Sequence, residues 1–218
     1  MSASDGSRLL LCSGGIDSVC LLLMRRAMGE RLTALFFDYG QMNLEEERSA
    51  ARHFCAAAGA PLIEASLGQA FPPSGLTSED ETGVYLEGKS RFFLPMRNGV
   101  FIALATSWAM RQGCRDILVG SVKADRTHLD SGEPFMSRIR QLVEQCSGGQ
   151  VSVAFPLAGL SKAEVVRQAA PHADTNEIFE RTYSCYFPRA SAKVRQFAWG
   201  YGCGSCLSCR GRRAAMGG

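Results

Sequence analysis

Short continuous apolar runs alternate along this chain with longer stretches whose apolar positions recur every three or four residues. The runs are Arg8–Cys12 (RLLLC), Arg31–Phe37 (RLTALFF), Pro61–Ala65, Asp116–Gly120 (DILVG) and Val151–Phe155. Unbroken short runs of this kind predict strands buried on both faces. The helical stretches are Asp17–Met28, Asn43–Gly59, Asn98–Gln112, Phe135–Cys146 and Ser161–Ala170. In the second of these, Leu44, Ala50, Ala51, Phe54, Cys55 and Ala58 share one face. Glu45–Glu47 load its first turn, where the helix dipole favours negative charge, and Gly59 stops it. Ser161 followed by Glu164 predicts a capping box. Strands alternating with helices predict an α/β fold, a parallel sheet with helices on both faces. Gln69–Lys89 is the clearest loop, and beyond Thr182 the periodicity fades into a tail.

At 218 residues and 46% hydrophobic, the chain can bury the core of one such domain. A net charge of only +3 gives no support to a general nucleic-acid-binding role. No apolar run reaches the length of a bilayer span, so no membrane partner is expected. The opening MSASDGSRLLLC lacks the pattern of a signal peptide, and the expected compartment is the cytoplasm.

Chemistry first enters at Leu10–Ser18 (LLCSGGIDS), between the first strand and the first helix. Ligands of open α/β sheets bind outside the carboxyl ends of the strands. Gly14 and Gly15 let backbone N–H groups approach an anion, and the helix N-terminus adds partial positive charge. Ser13 and Ser18 offer hydroxyls, and Asp17 can hold a Mg²⁺ ion that neutralises phosphate. The plain alternative is a tight turn with Asp17 as a helix cap. Neither GxxxxGK[ST] nor GxGxxG occurs. A second anchor, Asp38-Tyr39-Gly40-Gln41, ends the second strand; alone it could be a solvated glycine turn.

Nine cysteines divide into two groups. Cys12, Cys20, Cys55, Cys114 and Cys146 are scattered singly, as small buried hydrophobes would be. Cys185, Cys203, Cys206 and Cys209 crowd the tail, and four thiolates close a tetrahedral structural zinc site. Arg210, Arg212 and Arg213 offset the thiolates' charge. An iron–sulfur cluster and a redox-active CxxC pair are the alternatives.

The string SGGIDS resembles the PP-loop of the N-type ATP pyrophosphatases. Further stretches resemble one branch of them, the QueC family of 7-cyano-7-deazaguanine synthases. These are Phe93–Asn98 (FLPMRN) with its Ala-rich helix, Ile117–Gly120 with Asp125, and Phe155-Pro156-Leu157 with Leu160–Glu164 (LSKAE). Thr182–Tyr186 (TYSCY) and Cys203–Arg212 (CGSCLSCRGR) complete the set, in order over nearly the whole chain. The resemblance implies an adenine-nucleotide alpha-hydrolase-like, Rossmann-like sheet over residues 1–181, with a zinc-binding segment, 182–218, packed on it. It implies ATP with Mg²⁺, held by Leu11, Cys12, Ser13, Gly14, Gly15, Ile16, Asp17 and Ser18, with Asp38–Gln41, Asn98 and Gly120 around the nucleotide. Lys162 is then expected to reach the phosphates, and Arg97 the α-phosphate or the substrate carboxylate. The plain readings are a surface ion pair for Arg97 and a helix N-cap for Asn98. The implied reaction is adenylation of 7-carboxy-7-deazaguanine, attack by ammonia to give an amide, and ATP-dependent dehydration to a nitrile. A homodimer is expected on the same ground.

The chain departs from the family pattern mainly at Arg126–Phe135, where a Tyr-Pro-Asp-Cys-Arg-type stretch is usual. Asp125, Asp130, Glu133 and Phe135 are the candidate substrate-binding residues there, since a carboxylate suits the 2-amino/N1 edge of a guanine-like ring. His128 reads as a general base or as a solvated loop residue. Met42-Asn43 replaces a basic pair, and Phe187–Gly202 is a basic, aromatic insert that suits RNA, a protein interface or a packed tail loop. The departures lie on the acceptor's side of the chemistry. Three rivals to the nitrile synthase therefore stand: a ligase using an amine on a partner protein, a tRNA-modifying PP-loop enzyme, and a nucleotide-binding regulatory protein.

Overall fold

The structure is a computed structural model describing residues 6–127 and 129–217. Five parallel strands form the central sheet: β1 (Arg8–Leu11), β2 (Leu32–Asp38), β3 (Leu62–Ser66), β4 (Asp116–Val119) and β5 (Ser152–Ala154). Their spatial order is β3-β2-β1-β4-β5, so the chain runs outward from β1 first on one side and then on the other. The reversal lies between β1 and β4, paired Leu9 to Ile117 and Leu11 to Val119, and such a switch point opens a crevice at the strand ends.

The continuous apolar runs are explained by the two cores that the sheet separates. Leu10, Ala34, Phe36 and Leu118 point to one face, and Leu9, Leu35, Phe37, Ile117 and Val119 to the other. The first face is covered by α1 (Ile16–Ala27), α2 (Leu44–Ala57) and α5 (Lys162–Ala169), and the second by α3 (Arg97–Gln112) and α4 (Glu133–Cys146). Cys12, Cys20, Cys55 and Cys114 are buried as small hydrophobes, whereas Cys146 is exposed at the end of α4. Arg26 of α1 donates from Nε to the Ala58 carbonyl and so closes the C-terminus of α2. The capping box at Ser161 and Glu164 forms as predicted.

Three elements depart from the sequence pattern. The segment α6 (Thr175–Arg181) is a short helix capped by Asp174, too brief for its two buried residues, Ile178 and Phe179, to show a period. The insert folds as a hairpin of β6 (Arg195–Phe197) and β7 (Gly200–Gly202). The tail ends in the ten-residue helix α7 (Leu207–Met216), which packs on α5. Its buried stripe is Cys209, Arg212 and Ala215, and a buried arginine hides it from an apolar pattern. No helix among the described residues is long and apolar enough to cross a membrane.

Candidate active-site cleft

A cleft of about 390 Å³ opens at the carboxyl ends of β1, β2 and β4. Its floor is the turn from β1 into α1. Gly14 sits at φ +73°, and a Cβ there would lie 2.1 Å from the Glu47 carbonyl oxygen of α2. No L side chain fits that conformation beside that backbone. Gly14→Ala is therefore expected to cost about 3 kcal/mol or more, from left-handed strain plus displacement of α2. Thermal melting and ATP–pyrophosphate exchange measure it; an unchanged melting temperature would contradict the packing described. Gly120, after β4, is tight for a different reason: its Cβ would stand 3.3 Å from the Ser18 backbone.

The hydroxyls predicted from sequence organise the loop. Ser13 Oγ lies 3.2 Å from Ser18 Oγ and accepts from the Gly15 N–H at 3.3 Å, and Ser18 Oγ donates to the Gly15 carbonyl at 3.0 Å. Asp17 forms an ion pair with Lys162, which the capping box of α5 sets in place. The other carboxylate oxygen of Asp17, Oδ1, is buried without a hydrogen-bond partner among the described residues. Burial pushes the Asp17 carboxyl up from its usual range, against the pull of Lys162, and the nearby Asp125 charge pushes it further. An orphaned buried carboxylate oxygen with a second carboxylate charge in the same cleft fits a divalent cation, and Asp17 and Asp125 are the residues that could hold one.

Beside the loop, Gln41 folds back on its own turn. Its Nε2 donates to the Phe37 carbonyl at 3.1 Å and its Oε1 accepts from the Tyr39 N–H at 2.9 Å. Asp38 accepts from the Gly40 N–H and from Arg48, so Asp38 and Gly40 shape the turn and do not line the cleft. Tyr39 does line it, and burial pushes its hydroxyl up to about 12, which keeps it neutral. Arg97 lies over the Tyr39 ring, 5.9 Å from its centroid, and faces the cleft. Leu76, from the stretch read as a loop, is buried and closes the adjoining wall.

The start of α3 is built by a distant segment. Met96 precedes it at φ +59°, the one non-glycine with positive φ among the described residues, and supplies no side-chain cap. Asp130 Oδ2 accepts from the Asn98 N–H at 3.0 Å in its place. The Asn98 amide donates to the Asp130 carbonyl at 3.0 Å and to Ser131 Oγ at 3.1 Å. Asn98 is thus not the N-cap of its helix; Asp130 performs that task while also lining the cleft. Glu133 and Phe135 begin α4 and do not line the cleft: Glu133 is 3.7 Å from Arg140, and Phe135 packs against the α3–α4 core. His128 lies outside the described residues. Of the loop residues, Gly14 and Ile16 support the cleft from behind.

The four tail cysteines converge. Their sulfurs all lie within 4.8 Å of one another, with Cys203 and Cys209 at 4.0 Å. Sulfurs around a tetrahedral zinc stand about 3.8 Å apart, so the set fits that ion. Backbone N–H groups of Cys203, Cys206 and Cys209 already donate to the sulfurs of Cys185, Cys203 and Cys206. Arg212 feels the Cys209 charge, as a counter-charge would, and has a structural task as well. It is fully buried, and donates to the Trp199 and Phe179 carbonyls, to Thr182 Oγ1 at 2.7 Å and to Ser184 Oγ at 3.3 Å. Burial lowers its pKa to about 10. Between Thr182 and Ser184, the Tyr183 N–H donates to the Gly14 carbonyl at 3.2 Å. The cysteine cluster is thus tied to the glycine loop. In the insert, Arg189 stacks on Tyr201 at 4.0 Å, Lys193 pairs with Glu79, and Phe197 stacks on Trp199, so this loop packs on its own chain.

Sequence reasoning missed Glu47, Ser184, Tyr186 and Ser208 as cleft residues. Glu47 was visible only as one of three acids in a helix's first turn; the others come from segments where no periodicity survives.

The family model described as queuosine biosynthesis protein QueC matches residues 7–217. The 7-cyano-7-deazaguanine synthase of Thiobacillus denitrificans is 35% identical over 219 residues, covering 94% of this chain and 91% of that protein. That of Ralstonia nicotianae is 32% identical over 221 residues, covering 95% and 92%. A solved structure, NMN synthetase from Francisella tularensis, is similar at a TM-score of 0.49 and 15% identity over 77% of this chain and 61% of that one.

Proposed function

Because the chain belongs to the QueC family, we propose that it activates a 7-carboxy-7-deazaguanine-type carboxylate with ATP, releases pyrophosphate, and passes the acyl group to ammonia. The observation that carries this reading is one cleft holding the glycine loop, the Asp17–Lys162 pair and Arg97 together. A carboxylate resists attack because its charge repels the nucleophile and oxide leaves poorly; adenylation removes both obstacles. The N–H groups at the start of α1 face the phosphates, and Lys162 supplies a positive charge beside them. Asp17 and Asp125 would hold Mg²⁺, which neutralises phosphate charge when bound. Arg97 holds the substrate carboxylate against the α-phosphate. Asp130 and the rings of Phe92 and Tyr186 form the far wall, suited to a flat purine-like ring. The reading places the protein in the cytoplasm, where reduced thiols can bind zinc.

Mass spectrometry of purified protein with ATP, Mg²⁺, 7-carboxy-7-deazaguanine and ammonium tests it. Amide and then nitrile, with AMP and pyrophosphate, are the expected products. Absence of both AMP and any deazaguanine product would overturn the assignment.

A further inference from the structure

We infer that Glu47 is the carboxylate that receives ammonium in the cleft and takes its proton before attack; this rests on the acyl-adenylate reading above. At neutral pH nearly all ammonia is ammonium, which has no lone pair. The cleft must therefore hold a cation and deprotonate it beside the activated carbonyl. Of the three acids opening α2, Glu47 is the one that lines the cleft. Its oxygens are fixed by two neutral donors, Asn43 Nδ2 at 3.0 Å and Gln41 Nε2 at 3.2 Å. Among the described residues, it makes no salt bridge. Asn43 is itself anchored on the Cys185 carbonyl at 2.6 Å, so the tail holds this carboxylate in place.

The groups facing Glu47 define the rest of the subsite. Arg97 on α3 is the neighbouring cation, Tyr39 at the end of β2 is neutral, and Glu46 stands beside it on α2. From the glycine loop, Gly14 packs against the Glu47 backbone. Arg97 is placed for the anionic partner of the reaction, and Glu47, in the same cleft, for the cationic one. Burial pushes the Glu47 carboxyl up to about 7, against the hydrogen bonds from Gln41 and Asn43 and the charge of Arg97. A base matched to neutral pH is efficient at taking and releasing a proton.

The step balances. One ammonium proton moves to Glu47. The nitrogen lone pair forms the C–N bond as the C–O bond to AMP breaks, and AMP leaves with that electron pair. The second nitrogen proton passes to water, leaving the amide.

The test uses ammonium chloride as the nucleophile and compares Glu47→Gln and Glu47→Asp with wild type. ATP–pyrophosphate exchange dependent on the carboxylate substrate, without ammonium, reports adenylation; amide formation reports transfer. Glu47→Gln is expected to lower the ratio of transfer to exchange about 100-fold and to remove an inflection near pH 7 from kcat/KM for ammonium. Glu47→Asp, which keeps the charge, should recover part of the ratio. An unchanged ratio in Glu47→Gln, or equal loss of exchange and transfer in both variants, overturns the role of Glu47 alone. Wild-type protein lacking carboxylate-dependent exchange overturns the acyl-adenylate reading, and this inference with it.

Discussion

Asp17→Asn is expected to reduce pyrophosphate release about 1,000-fold or more while the protein stays folded. Among the described residues, the carboxylate is the one group lining the cleft with a buried oxygen left unpartnered, and it also orients Lys162. An amide cannot supply the negative charge that holds a divalent cation. The stability consequence runs the other way. Burial raises the Asp17 carboxyl above its unfolded value, so folding favours its protonated form. Its charged form therefore weakens the fold above that raised value, and the penalty is relieved as pH falls through it. Asn removes the charge at every pH. The melting temperature at neutral pH should not fall, and its pH dependence on the acid side should flatten. Exchange measurements beside pH-resolved thermal melts check both halves. Wild-type rates in Asp17→Asn would remove Asp17 from the phosphate chemistry; a large loss of stability would show that its pairing with Lys162 outweighs its burial.

Disrupting the tail's four-cysteine cluster should be nearly as damaging, and less local. Extraction with a strong chelator, or Cys209→Ser, is expected to release one zinc per chain and lower the melting temperature by about 10 °C or more. It should also abolish ATP–pyrophosphate exchange. The path is structural: α7 begins at the cysteine knot and carries Arg212, and Arg212 fixes Thr182 and Ser184. The Tyr183 N–H between them holds the Gly14 carbonyl. Without the knot, a buried guanidinium loses its frame and the phosphate loop loses its strap. Elemental analysis distinguishes zinc from iron. Metal-free protein that keeps both its melting temperature and its exchange rate would show the knot and the loop to be independent.

How far the fold and cleft could be foreseen varies by element. The β1 run and the helix after it placed SGGIDS at a strand end, because an unbroken apolar run means burial on two faces and glycines mean close backbone approach. Leu9 and Leu10 pointing into opposite cores, and Gly14 under Glu47, are the tertiary form of those local facts. The cysteine set was equally legible, since CxxCxxC carries its geometry in its spacing. Local propensity offers Asn98 as its helix's cap, the plain alternative to a place beside the nucleotide. The capping carboxylate comes instead from Asp130, 32 residues on, which only the approach of the two segments could show. In the sequence Arg212 is one of three charges that offset the thiolates, and nothing local to it signals burial. Its burial follows from four neutral acceptors that two separate stretches, 179–184 and Trp199, deliver to one point.

The division has a physical basis. Sequence by itself determined the α/β alternation, the position of the glycine loop, the capping box at Ser161 and the CxxCxxC triplet. Each depends on residues near in the chain, through periodicity, backbone freedom or motif spacing. The tertiary structure alone decided which carboxylates face the cleft. It turned Glu47 inward and left Glu133 outside, paired Asp17 with Lys162 145 residues away, and bound the tail to the loop. Those outcomes depend on which buried groups find partners, and partners distant in sequence meet only when the sheet and its two cores have formed.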